Sequence, residues 1–220
     1  MICANKIIFV HLPKTGGTLL REYFEYISNL SKVEINIGKS STFSGVVAHA
    51  TVGDFKNKET AYKFGLVRNP FDWYVSRYFY FQKKGCAEGG VSVKNDCGLY
   101  GDSFREKFPT LKHHLLHGVE NDSIPRFWLS SLYQYMFYDN GLFNMNHVGK
   151  LENIDQEIDN LWSTTGVEKY ISLKEFDNLS NRFHRNASKH NHYQEYYDNE
   201  MIDIVLKYDE LVLDKYNYEF

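Results

Sequence analysis

Hydrophobic runs alternate with helical patterns along the chain. The first run, Ile7-Ile8-Phe9-Val10, stops at His11-Leu12-Pro13. Its β-branched and aromatic content predicts a short buried strand. Beyond a turn of Gly and Thr, Leu20, Tyr23, Phe24, Ile27 and Leu30 recur at helical spacing, with Arg21, Glu22 and Glu25 on the other side. That pattern predicts an amphipathic helix. Residues 33–37 alternate and read as a strand, 39–44 are a polar loop, and 46–49 read as a short buried strand ending in His49. After a polar connection, Tyr62–Val67 forms another apolar run, ending in Arg68-Asn69-Pro70. Asn69 suits a helix N-cap, Pro70 the first helical position and Asp72 the first turn. Phe71, Tyr74, Val75, Tyr78 and Phe79 carry that helix to about Lys83.

Residues 85–101 are rich in Gly, Asp and Asn and read as an excursion. Helical patterns follow over 103–117 and 124–138, a strand over 146–151, and an amphipathic helix over 153–163 with Ile154, Ile158, Leu161 and Trp162 on one face. Residues 178–192 are a polar, basic loop. A final helix places Tyr197, Met201, Ile204, Val205, Tyr208, Leu211 and Val212 on one face. No repeat, low-complexity tract or linker divides the chain, so residues 1–220 read as one domain with an acceptor-side insertion at about 85–138. Strands alternating with helices predict an α/β fold, with a mostly parallel central sheet flanked by helices on both faces. Ligands of such sheets bind at the carboxyl ends of the strands. His11–Thr18, His49 and Arg68 all follow predicted strands and are expected to face one crevice.

Composition changes this picture only at a few points. The 220 residues carry a net charge of -3, which leaves no basic field for nucleic acid. Aromatic residues make up 16%, suiting either stacking surfaces or a large aromatic core. No apolar run approaches about 20 residues, and the segment before the first strand is too short for a signal peptide. A soluble, cytoplasmic protein is the expectation. Of the three cysteines, Cys3, Cys86 and Cys97, the last two bracket the Gly-rich excursion. They are free thiols in a cytosolic setting and a possible bridge in an oxidising one. His113, His114 and His117 sit at helical spacing and read as a surface face. No zinc spacing is present and no metal is implied.

The chemistry concentrates in Lys6–Leu20, KIIFVHLPKTGGTLL. Strand, tight loop and helix in this order make an anion cradle, because glycines let backbone N–H groups turn inward and the helix presents its positive end. Lys14 adds a point charge, and Thr15 and Thr18 add hydroxyls. The Walker pattern needs a lysine after the last glycine. Here Lys14 precedes Gly16-Gly17, so the cradle is P-loop-like but wired differently.

The string HLPKTGGT after a strand resembles the 5′-phosphosulfate loop of sulfotransferases that use 3′-phosphoadenosine 5′-phosphosulfate (PAPS). The resemblance is to the carbohydrate branch, of heparan sulfate 2-O and 6-O type, as a small bacterial or viral member. FGLVRNPFDWYVS, residues 64–76, resembles the family's 3′-phosphate element, in which an arginine closes a strand and a serine follows on a helix. Alone, that stretch reads better as a capped helix with a surface arginine; beside the first motif the 3′-phosphate reading is favoured. The resemblance implies a sulfotransferase fold and sulfuryl transfer to a hydroxyl acceptor, expected to be a glycan. It implies that Lys14, Thr15, Gly16, Gly17 and Thr18 hold the 5′-phosphate, with Lys14 stabilising the leaving oxygen. Arg68 and Ser76 would hold the 3′-phosphate. His49 matches the position of the branch's general base, against the alternative of a buried, hydrogen-bonded histidine. His11 is a weaker candidate and reads as loop-shaping.

RNASK, residues 185–189, reads first as a solvated basic loop; it also resembles loosely an Asn-x-Ser stretch of related sequences, which would bring Asn186, Ser188 and Lys189 to the nucleotide. Glu152 in GKLEN and Gln134 are acceptor-side candidates. A P-loop small-molecule kinase and a non-catalytic nucleotide-binding module on the same fold are the alternatives.

Overall fold

A computed structural model describes residues 6–31, 33–37, 50–55, 59–83, 101–121, 126–168, 171–180 and 190–220. The expected strand at 46–49 with His49, the three cysteines, and the loop with Asn186, Ser188 and Lys189 lie outside the described residues.

The elements run β1 (Lys6–Val10), α1 (Gly17–Leu30), β2 (Glu34–Ile37), β3 (Tyr62–Val67), α2 (Pro70–Lys83), α3 (Gly101–Lys107), α4 (Leu111–Glu120), α5 (Leu129–Phe137), β4 (Tyr138–Asp139), β5 (Leu142–Phe143), β6 (His147–Lys150), α6 (Ile154–Thr165), α7 (Leu173–Ser180), α8 (Asn199–Tyr208) and α9 (Glu210–Tyr216). They divide into two compact units. One takes the chain up to Arg68 and from Gln134 to Asn186; the other takes Asn69 to Tyr133 and Ala187 to Phe220.

The first unit holds the sheet, in the order β2-β1-β3-β6 with every pairing parallel. This is the expected α/β arrangement, a parallel sheet flanked by helices. Ile7, Phe9, Phe64 and Leu66 share one sheet face. They pack with Leu20, Tyr23, Phe24 and Ile27 of α1, Ile158, Leu161 and Trp162 of α6, and Leu173 and Phe176 of α7. Each such side chain contributes about 1.5–3 kcal/mol by leaving water. The core is therefore where much of the aromatic content goes. Its Tyr23 and Trp162 polar groups are satisfied: Tyr23 Oη donates to Ile171 O at 2.8 Å and accepts from Trp162 Nε1 at 3.0 Å. On the opposite sheet face Gly65 leaves room for two neighbours, since a Cβ there would lie 2.9 Å from the Phe137 ring and 3.2 Å from Met145 Cε.

The helix expected over 124–138 is shorter than its pattern. It begins at Leu129 and ends at Phe137, where the chain turns into the β4–β5 hairpin. Asn140 and Gly141 at its tip have φ of 50° and 79°, the left-handed pair that a two-residue hairpin turn demands. Asn140-Gly141, just past the helical pattern, is the local sequence signal for this turn.

The second unit is helical. Asn69 caps α2 as expected, its Oδ1 accepting from Phe71 N at 3.0 Å. The helix expected over 103–117 is two helices, because Pro109 cannot continue α3. Thr110 then caps α4 by accepting from His113 N at 3.3 Å. The final helix is also two. Asp209 N closes α8 on Val205 O, and Asp209 O accepts from Val212 N and Leu213 N to start α9. The Asp209 carboxylate is wholly buried; it accepts from Tyr74 Oη and Ser130 N, both at 2.6 Å.

His114 corrects the reading of a histidine surface face. It is 1% exposed and packs among Phe104, Phe108 and Phe127, with ring centroids 5.0–5.3 Å away. Its two ring nitrogens meet no partner among the described residues. Burial, with Arg77 and His117 nearby, holds it well below the usual imidazole range, so it sits there neutral. Only His113 is exposed.

Candidate active site

β1 and β3 are adjacent at the centre of the sheet, with β2 on the far side of β1. The chain thus reverses its direction of travel across the sheet between them, the kind of point at which ligands of open α/β sheets bind. The loop after β1 is tightly built. Lys14 has φ 65° and Gly16 has φ 73°. For Gly16 that conformation is unstrained; for Lys14 it costs on the order of 1–2 kcal/mol. A non-glycine residue held in that region is an outlier of the sort found at binding loops.

The two glycines serve different needs. Gly16 needs the positive φ, and a Cβ there would also lie 2.8 Å from Leu151 Cδ1. Gly17 makes room for His11: a Cβ would lie 1.8 Å from the ring atoms Cδ2 and Nε2. His11 itself stacks over Phe9, with centroids 5.9 Å apart. His11 thus has the loop-shaping place expected of it. An interior helical Gly→Ala normally gains up to about 1 kcal/mol. Gly17→Ala is instead expected to cost about 1–3 kcal/mol, because the ring must move. A urea melt of Gly17→Ala with and without His11→Ala checks this: the loss should largely disappear in the double variant.

Thr15 is fully buried, and its Oγ1 donates to Leu12 O at 2.7 Å. Its hydroxyl proton therefore holds the loop together, which leaves the backbone N–H as its route to an anion. α1 starts at Gly17 with no side-chain cap and no acidic residue in its first turn. Its first N–H groups have no intrahelical acceptor, and no carboxylate there offsets the positive end of the dipole.

Arg68 follows β3 directly. Its Nη1 donates to Lys14 O at 3.4 Å. Two cationic residues from the ends of two adjacent strands thus meet at one loop. Glu152 is exposed just after β6, in the 3-10 turn Leu151–Asn153. Its neighbours Leu151 and Ile154 face Gly16, so GKLEN backs the cradle. Gln134 is exposed on α5. Ser76 belongs to the helical unit, where it is buried on α2.

One supporting residue was not legible in the sequence. Glu157 accepts from Lys150 N at 3.1 Å and pairs with His147 Nε2 at 2.6 Å, fixing the carboxyl end of β6. It reads as a solvated position of an amphipathic helix. Its only trace is Gly149, where a Cβ would lie 2.3 Å from Glu157 Cδ.

Fold and loop together define a parallel α/β protein with a cationic anion cradle at the switch point of its sheet. A family model described as the Sulfotransferase family matches residues 2–220, and the chain belongs to that family. Among solved structures it is similar to mouse sulfotransferase SULT7A1 complexed with PAP. The two share 13% identity over 96% of this chain and 84% of that one, with a TM-score of 0.54, a likeness of fold. No curated protein matches the sequence. Among the described residues no helix is long and apolar enough to cross a membrane.

Proposed function

We propose that the protein transfers a sulfuryl group from PAPS to a hydroxyl of a carbohydrate acceptor. Family membership supports sulfuryl transfer, and the convergence of Lys14 and Arg68 on one glycine-built loop is the observation that carries the nucleotide assignment. The residues present suit such a donor: two cations, a helix start free of carboxylates, and glycine positions with no space for a Cβ. When bound, PAPS supplies an activated sulfuryl group and a stable anionic leaving group, 3′-phosphoadenosine 5′-phosphate (PAP).

In this reading the backbone N–H groups of Thr15, Gly16, Gly17 and Thr18 bind the 5′-phosphate, and Lys14 neutralises charge growing on the bridging oxygen. Arg68 and Ser76 bind the 3′-phosphate, the guanidinium through its fork of donors. Asn186, Ser188 and Lys189 close over the nucleotide. His49 takes the acceptor proton, and Glu152 and Gln134 orient the acceptor. Positioning and charge stabilisation do most of the work, as in phosphoryl transfer.

Calorimetric titration with PAP, AMP and ATP tests the reading. PAP should bind far more tightly than AMP, which lacks only the 3′-phosphate; preference for ATP with magnesium would move the protein to the kinase class. Arg68→Ala should weaken PAP binding about tenfold to hundredfold, the scale of a lost hydrogen bond to a charged group. AMP binding should change much less. An equal loss for both nucleotides would mean that Arg68 acts only through the carbonyl of Lys14.

A further inference from the structure

The turn that opens α2, directly after Arg68, is held by more partners than a capped helix needs. Asn69 Oδ1 accepts from Phe71 N, and Asn69 Nδ2 donates to Glu219 O at 3.1 Å. The Phe71 carbonyl accepts from Tyr197 Oη at 2.8 Å. The Phe71 ring is met edge-on by Phe220 at 5.0 Å and by Tyr197 at 5.4 Å, and lies nearly parallel to Tyr193 at 6.4 Å. Phe220 in turn meets Tyr193 at 5.9 Å and Tyr197 at 5.6 Å. All these residues belong to the helical unit.

Two features of this cluster point past simple packing. Two of its hydrogen bonds fall on the peptide groups of Phe71 and the third holds the Asn69 side chain to the Glu219 carbonyl, so they fix the backbone of the turn immediately after Arg68. Its aromatic members also tie that turn to Tyr193, which follows Lys189 by four residues. Phe220 remains 38% exposed, yet it meets the rings of Phe71, Tyr193 and Tyr197.

We propose that Phe220, Tyr197 and Asn69 are positioning residues for 3′-phosphate recognition, holding the Arg68-Asn69-Pro70 turn in its binding geometry. This rests on the reading of Arg68 as a 3′-phosphate ligand. The role acts through the turn, and none of the three touches the nucleotide.

The test measures PAP and AMP affinities by calorimetry, and melting temperatures, for the full chain and four variants. Phe220→Ala is expected to weaken PAP binding about tenfold and AMP binding by no more than about twofold, the order of loss seen when partners that orient a ligating group are removed. Tyr197→Phe, which deletes only the bond to the Phe71 carbonyl, should shift the PAP-to-AMP ratio in the same direction. Phe220→Leu should recover most of it. Val205→Ala, in the core of α8, should lower the melting temperature at least as much as Phe220→Ala and leave the ratio at the wild-type value. A wild-type ratio in Phe220→Ala, or an equal fall in Val205→Ala, overturns the positioning role while leaving Arg68 in place. A wild-type protein that binds AMP as well as PAP overturns the Arg68 assignment, and the positioning role falls with it.

Discussion

Replacing Lys14 by Ala is expected to reduce turnover about 10²–10³-fold, the loss typical of removing one preorganised donor from a developing charge. The lysine adds a mobile charge to a cradle otherwise made of N–H groups, so its loss should fall on the chemical step more than on nucleotide binding. Its backbone offers an internal control. Lys14 sits at φ 65°, where a Cβ is strained and glycine is not. Lys14→Gly should therefore gain about 1 kcal/mol of stability while staying as inactive as Lys14→Ala. Single-turnover rates with PAPS and a glycan acceptor, alongside denaturation, separate the two effects. Near-normal turnover in either variant would remove Lys14 from the chemistry.

The largest stability effect is expected at Asp209. Asp209→Ala removes both acceptors from a buried network and leaves Ser130 N–H with nothing to donate to, while Tyr74 Oη loses its acceptor. A loss of about 2–5 kcal/mol follows from two orphaned donors, read as a lower urea midpoint. The same carboxyl makes stability depend on pH. Burial pushes it from its ordinary 3.8 up to about 6, against the hydrogen bonds from Tyr74 and Ser130 that pull it down.

A raised folded value means that the native state binds the extra proton. The contribution is fully present below about pH 4 and is lost as pH rises through about 6, to the extent of about 3 kcal/mol. Asp209→Asn cannot titrate, so its stability relative to wild type should improve over that interval. His114 has the opposite sign. Its depressed pKa in the folded state lowers stability as pH falls below about 6.5. Because His114 is common to both proteins, the difference between them isolates Asp209.

The local pieces of the site were readable because each rests on short-range chemistry. Ile7–Val10 could hardly be anything but a buried strand, and a Gly pair before an amphipathic run marks a strand–helix cradle. Asn69-Pro70 placed the start of α2 within a residue. The misreadings have one cause: periodicity over a window cannot see a single residue with a tertiary partner. Asp209 breaks the final helix because its carboxylate is bound by Tyr74 and Ser130, far away in sequence. His114 looked like a surface residue because it falls at helical spacing with His113 and His117, whereas its neighbours in space are three phenylalanines. The β4–β5 hairpin was lost to a helical pattern that stops at Phe137.

What the sequence determined by itself is the chemistry available and its order along the chain: a cationic, glycine-built anion loop, an arginine closing a strand, and an alternation of strands and helices that implies a parallel sheet. Those follow from backbone sterics, capping and burial within about fifteen residues. Only the tertiary structure decided that β1 and β3 are neighbours, so that Arg68 reaches the carbonyl of Lys14. It alone decided that Glu219 and Phe220 bind the turn after Arg68. Each of those depends on a contact between segments whose separation along the chain carries no local signal, and the packing of the whole unit selects it.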